Sequence, residues 1–97
     1  MQDEHWAQDF NEEVTTAKGR HQQALRQAHD RHLDACAALR EKQAAEPRKG
    51  DWDTQYHRQM RELKALDDAL DAEVRKADAA FHEEVARIGQ EHGISVG

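Results

Sequence analysis

One short segment, EPRKGD at residues 46–51, carries the strongest helix-breaking signals in this chain and divides it into two long halves. Proline disfavours helical geometry for the residue before it, so a first helix should end near Ala45 or Glu46. The carboxylate of Asp51 or Asp53 can cap a second helix. Gly93 supplies a left-handed stop near residue 92. The sequence therefore predicts a single domain with a helix over about 3–46, a turn at 47–51, a helix over about 52–92 and a short tail at 93–97.

The second half carries a long apolar stripe at steps of three and four residues, which is typical of an amphipathic helix. Its mean spacing is close to 3.6 residues, so the stripe should run nearly straight along the helix rather than follow a strict seven-residue supercoil. The members of this stripe are Trp52, Tyr56, Met60, Leu63, Leu66, Leu70, Val74, Ala77, Phe81, Val85 and Ile88.

The first half follows the same rhythm with smaller and more polar residues. Large side chains lie toward its ends, whereas its middle is mostly alanine and histidine. The run Val14-Thr15-Thr16 and the nearby Gly19 have low helix propensity. A break near Gly19, which would give three helices, is therefore an alternative to one continuous helix.

A short turn between two periodic helices makes them antiparallel neighbours, and the sequence predicts an all-α helical hairpin. Folding about residues 48 and 49 predicts the facing sets Trp6 and Phe10 with Ile88 and Val85, Val14 and Ala17 with Phe81, Leu39 with Met60, and Gly19 with Ala77, Ala79 and Ala80. In the last set, the small residues would allow close approach of the two backbones.

The two stripes are unequal, and this inequality predicts self-association. The second helix offers more apolar surface than an alanine-rich partner can cover, so pairing of two hairpins into a four-helix bundle is the simplest remedy. The predicted partners are a second copy, a larger protein complex, or both. The predicted interaction residues are Leu63, Leu66, Leu70, Val74, Phe81, Val85 and Ile88.

Composition argues against several classes of protein. The 97-residue chain is 37 % hydrophobic and 35 % charged with a net charge of −6, which argues against binding to nucleic acid or anionic membranes. No apolar run is long enough to span a membrane, and the acidic start MQDEHW is unlike a signal peptide. The single cysteine fits a reducing compartment, so a cytoplasmic location is expected.

The stretch HDRHLDAC at residues 29–36 is the strongest candidate for a chemical site. His29, His32 and Cys36 lie three and four residues apart, so they share one side of a helix, and zinc or copper could bind them. A tetrahedral site would need a fourth ligand from Asp67 or a second subunit. The stronger alternative is packing, with a histidine bonded to an acid such as Asp67 and the cysteine acting as a small apolar residue.

No motif in the chain predicts catalysis. The Glu-x-x-His pattern of di-iron bundles, a glycine-rich phosphate loop and a nucleophile motif are all missing from the sequence. The predicted function is a non-enzymatic helical adaptor or small structural subunit, with no cofactor. The alternatives are a metal or redox sensor at His29, His32 and Cys36, and an acidic inhibitor that covers a basic surface through acidic pairs. These pairs are Glu12-Glu13 and Asp67-Asp68.

Overall fold

The structure, a computed structural model, describes residues 3–48 and 50–93, with side chains from Ala7 onward. It contains two helices, α1 (Asp3–Ala45) and α2 (Trp52–Glu91), which pack against each other as an antiparallel hairpin. The all-α hairpin is therefore confirmed, and both helix boundaries lie within one residue of their predicted positions. The molecule measures 76 × 21 × 11 Å, so it is a flat ribbon only one helix thick.

The turn is built from the residues that the sequence singles out. Asp51 is the N-cap of α2, and its carboxylate accepts hydrogen bonds from the Asp53 backbone N–H at 3.1 Å and the Thr54 hydroxyl at 3.2 Å. Gly50 has φ +69°, which a residue with a side chain rarely adopts. Gly93 has φ +72° just after α2, as its role as a stop requires.

The predicted break at Gly19 is wrong, because α1 is continuous from Asp3 to Ala45. The Thr16 hydroxyl donates to the Glu12 carbonyl at 2.9 Å, which satisfies this polar side chain within the helix. The close approach at Gly19 is wrong as well. Gly19 is exposed, and a Cβ added there would meet nothing within 4 Å. Ala17 is the small residue that packs at this level, with 1 % of its surface exposed.

The register of the hairpin differs from the predicted one. His21 stacks on Phe81, Phe10 contacts His92, and the Gln43 side chain donates to the Gln59 carbonyl. Each of these pairs is centred on Asp51 rather than on residues 48 and 49.

The shift has a structural cause at the turn. Glu46, just past α1, already contacts Gln55 and Arg58, so the first turn of α2 extends beyond the end of α1. The predicted sets that faced Phe10 with Val85 and Ile88, and Phe81 with Val14 and Ala17, are therefore displaced. The predicted contacts of Trp6 and Ile94 lie outside the described side chains.

An 11-residue repeat governs the contacts between the helices. His21 and His32 occupy equivalent positions on α1, as do Arg20 and Arg31, and their partners on α2 recur at the same interval. Eleven residues complete three turns at 3.67 residues per turn, so such a pattern keeps two helices nearly parallel over a long distance. This agrees with the straight stripe that the sequence predicts.

The hairpin has almost no dry core. Among the described residues, only Ala17, Ala28, Ile88 and Gly89 are buried, and no large side chain is fully covered. The beginning of the predicted stripe is wrong, because Trp52 is 67 % exposed, and Tyr56 and Met60 are also exposed. The first turn of α2 lies beyond α1, and the side chains of α2 that are partly covered at this end are polar. These side chains are Gln55, Gln59 and Glu62.

Candidate functional site

The predicted interaction stripe lies along the seam between the helices, but α1 covers it only in part. Of its seven members, Ile88 alone is buried, with 4 % exposure. The six half-buried members are Leu63, Leu66, Leu70, Val74, Phe81 and Val85. The hairpin therefore uses these side chains to hold itself together and still leaves part of each in contact with solvent.

His21 occupies the centre of the seam. Its Nε2 lies 2.6 Å from an Asp78 carboxylate oxygen, and its ring stacks on Phe81 with centroids 4.8 Å apart. The side chain is thus satisfied on its polar edge and packed on its flat face. This arrangement explains how a histidine can replace an apolar residue at this position.

His32 repeats the arrangement one 11-residue step later. Its Nε2 lies 3.3 Å from an Asp67 carboxylate oxygen and 3.5 Å from the Cys36 sulfur. The predicted association of His32 with Asp67 is confirmed. His29 is exposed, and no group of three metal-binding side chains occurs within the described part of the chain. A zinc or copper site at His29, His32 and Cys36 stays a prediction.

A second row of ion pairs lies on the opposite side of the seam. Arg20 pairs with Glu84, and Arg31 pairs with Glu73 at 3.1 Å. Glu73 follows Asp67 by six residues, which is 240° around a helix, so these two acids flank the seam on opposite sides. The sequence predictions include neither arginine pair, although the recurrence of like residues every 11 positions indicates both.

These two rows give the ribbon two different faces. The arginine face is the side that carries Arg20–Glu84, Arg31–Glu73 and the pair of Arg58 with Glu46 at the turn. The histidine face is the opposite side, which carries Asp67, Asp78 and, beside His32, Cys36.

The pairs at the two ends of the hairpin close it. Near the open end, the His92 ring contacts a Glu13 carboxylate oxygen at 2.9 Å and meets the Phe10 ring edge-on at 5.7 Å. At the turn, the hydrogen bond from Arg58 holds the pKa of Glu46 below its ordinary value, and the same bond raises the pKa of Arg58. The histidine and arginine pairs thus connect α1 to α2 along their whole length.

The two acidic pairs proposed for an inhibitor lie far apart on the ribbon. Glu12 and Glu13 lie near the open end, where Glu13 binds His92. Asp67 is engaged with His32, and Asp68 pairs with Lys64 at 3.3 Å. Three of these four acids therefore already have a partner within the hairpin.

The surface between the described helices offers shallow grooves lined by paired or exposed side chains, and its chemistry suits contact with another helix. Neither described helix is long and apolar enough to cross a membrane. Comparisons with protein-family models, with curated proteins and with solved structures find no match to this chain.

Proposed function

We propose that this chain is a non-enzymatic helical interaction protein that associates with a second copy of itself and offers its long helical faces to a larger assembly. One observation carries the proposal. No large apolar side chain of the described hairpin is fully buried, although α2 carries a continuous apolar stripe. A folded chain gains its stability from such burial, so a further protein surface is needed.

The magnitude of the missing burial supports this proposal. Full burial of a leucine or phenylalanine stabilises a protein by about 1.5–3 kcal/mol. Six stripe residues are only half covered, so several kcal/mol remain to be gained. A small domain has a total stability of about 5 kcal/mol at the low end, so this gain is comparable with the whole.

The accessible surface supports it as well. The hairpin exposes 7740 Å², whereas a compact monomer of 11.1 kDa is expected to expose about 5,700 Å². The excess is about 2,000 Å² for each chain. Obligate homodimers bury roughly 2,000–5,000 Å² in total, so one further copy can cover the excess.

The setting of this function follows from charge and thiol chemistry. A net charge of −6 favours a protein partner over nucleic acid or an anionic membrane. Cys36 is a free thiol, which is typical of a reducing compartment, and we place the protein in the cytoplasm on that ground.

Light scattering at micromolar concentration tests the proposal. We expect a homodimer for the natural chain and an unfolded or monomeric protein for Leu70→Asp, because Leu70 lies in the middle of the stripe. Ala72→Asp, at an exposed position one half-turn away, is the matched control and should leave the dimer intact. A natural chain that is monomeric, compact and cooperatively folded would contradict the proposal. A monomeric and poorly folded chain would indicate a different obligate partner.

A further inference from the structure

The two faces of the ribbon differ in what they leave exposed. On the arginine face, three guanidinium groups bridge the helices. On the histidine face, Tyr56 precedes Asp67 by 11 residues and is therefore in line with the aspartates of that face. Trp52 and Met60 lie one turn before and after Tyr56, and all three are exposed. The largest exposed apolar side chains of α2 thus belong to the histidine face.

The first helix adds apolar surface to the same side. Cys36 contacts His32 and is only half-buried. Leu33 lies three residues before Cys36 and is 65 % exposed. Leu25 precedes Cys36 by 11 residues, so it occupies an equivalent position, and it is also half-buried. The histidine face therefore carries uncovered apolar groups on both helices.

The charges of this face are sorted by helix. Lys18, His29 and Arg40 recur every 11 residues along α1, and all three are exposed. The α2 side of the same face carries Asp67, Asp71 and Asp78. One edge of the face is thus basic and the other acidic, and such a surface is complementary to a copy of itself turned over.

We propose that a second copy of this chain docks on the histidine face with both turns at the same end of the dimer, so that α1 of each copy lies over α2 of the other. This inference rests on the proposed self-association and adds its face and its orientation. The basic edge of each copy then meets the acidic edge of the other. Trp52, Tyr56 and Met60 lie over the carboxyl-terminal half of α1 of the second copy, the part that carries Leu33 and Arg40.

The opposite arrangement, with the turns at opposite ends, is less favourable. It places α1 over α1 and α2 over α2, so the two basic edges meet and the two acidic edges meet. Like charges brought together across an interface oppose association. The same-end arrangement avoids this repulsion and covers the same apolar groups.

Two charge reversals on α1 test which face is used. Arg40 belongs to the basic edge of the histidine face, whereas Lys42 lies 200° away around the helix; both are exposed. We expect Arg40→Glu to raise the dimer dissociation constant at least about tenfold, because two-fold symmetry counts each substitution twice. Lys42→Glu, with the same change in charge, should alter it by less than about threefold. Equal effects, or a larger effect of Lys42→Glu, would overturn the assignment of the face.

Spin labels test the orientation. One label is attached to the native Cys36, and the other to Asn11→Cys in a Cys36→Ser background. In the same-end dimer, equal positions lie level, about 13 Å apart between helix axes, so both label pairs should fall within about 25 Å. With the turns at opposite ends, the separation changes by about 3 Å per residue. At least one pair would then exceed roughly 35 Å, because the two positions are 25 residues apart.

The outcomes separate this inference from the function on which it rests. A dimer in which one label pair lies beyond roughly 35 Å overturns the orientation and leaves self-association intact. A compact monomer overturns both. A dimer with two short label distances that dissociates with Arg40→Glu and resists Lys42→Glu supports both.

Discussion

His21 and His32 are half-buried residues on a seam that is otherwise apolar, and each directs its Nε2 to an aspartate on the other helix. The aspartates are the more exposed partners, with Asp67 at 70 % side-chain exposure. The pairs therefore satisfy the imidazole groups without burying a carboxylate, which limits the desolvation cost. Their value to the fold lies in allowing polar residues at seam positions.

Substitution of His32 tests this interpretation. We expect His32→Ala to lower the free energy of unfolding by about 1 kcal/mol, since it removes a hydrogen bond and a side chain packed in the seam. His32→Leu should be at least as stable as the natural chain, because it fills the same space and Asp67 stays hydrated. His29→Ala, at an exposed position, is the control and should change stability by less than about 0.5 kcal/mol. Urea unfolding measures all three; a large loss with His29→Ala would contradict the assignment.

The contact of Cys36 with His32 makes metal binding a separate and testable matter at the same scale. We expect zinc or copper to leave the melting temperature unchanged, and Cys36→Ser to destabilise the chain only mildly. A metal that binds the native state at 100 times its dissociation constant would stabilise it by about 2.7 kcal/mol. A clear rise in melting temperature with zinc or copper that His32→Ala abolishes would therefore favour the sensor hypothesis.

At the scale of the element, α1 persists through a segment of low helix propensity because both sides of that segment are anchored. Ala17 and Ala28 are buried against α2, and the Arg20–Glu84 pair joins the helices one residue beyond Gly19. A penalty of about 1 kcal/mol for a glycine is small beside the contacts that a break would lose. Tertiary contacts thus override local propensity here.

Glycine substitutions should separate two roles of this residue. Gly19 has an ordinary backbone conformation and open space around it, so Gly19→Ala should stabilise the protein by about 0.5–1 kcal/mol. Gly50 has φ +69°, so Gly50→Ala should destabilise it by about 1 kcal/mol or more. Thermal or urea unfolding measures both. Destabilisation by Gly19→Ala would show that α1 is bent at this position.

The turn should respond to acid. The hydrogen bond from Arg58 lowers the pKa of Glu46 below its ordinary value of 4.5, so the ionised form stabilises the folded state. This contribution is fully present above pH 4.5 and is lost as the pH falls through the lowered pKa. We expect Glu46→Gln to lower the melting temperature at pH 7 and to match the natural chain near pH 3. Asp68→Asn, at an exposed pair within α2, is the control; a difference for Glu46→Gln that stays constant down to pH 3 would contradict the prediction.

At the scale of the whole molecule, a ribbon one helix thick cannot enclose a core, and its stability should depend on association. If the folded state is a dimer, mass action makes the melting temperature rise with protein concentration. We expect a measurable rise in melting temperature between about 1 and 100 µM, whereas a melting temperature independent of concentration would indicate a self-sufficient monomer.

Small-angle X-ray scattering adds a check on the shape of the dimer. The single ribbon has a radius of gyration of 21.5 Å. Two ribbons stacked face to face, with centres about 10 Å apart, should increase it by only about 1 Å. A dimer joined end to end would be nearly twice as long and would have a much larger radius of gyration. We expect the doubled mass to be accompanied by a nearly unchanged radius.

The sequence by itself determined the local features of this protein. Pro47, Gly50 and Asp51 end one helix and begin the next through backbone geometry and a single side-chain cap, which depend on neighbours in the chain. The periodicity of apolar residues determined which side of each helix faces the other. The link between His32 and an acid such as Asp67 could also be anticipated, because both lie beside the seam.

Only the tertiary structure decided the register and what it exposes. A helical wheel gives directions around one helix, but the level of its partner depends on the path of the turn and on all contacts along the seam together. Glu46 packs against Arg58, so every facing pair is displaced and Trp52 lies beyond the end of α1. The same displacement aligns Arg20 with Glu84 and His21 with Asp78. These pairs join residues more than 50 positions apart, and their energies are felt only once the two helices lie side by side.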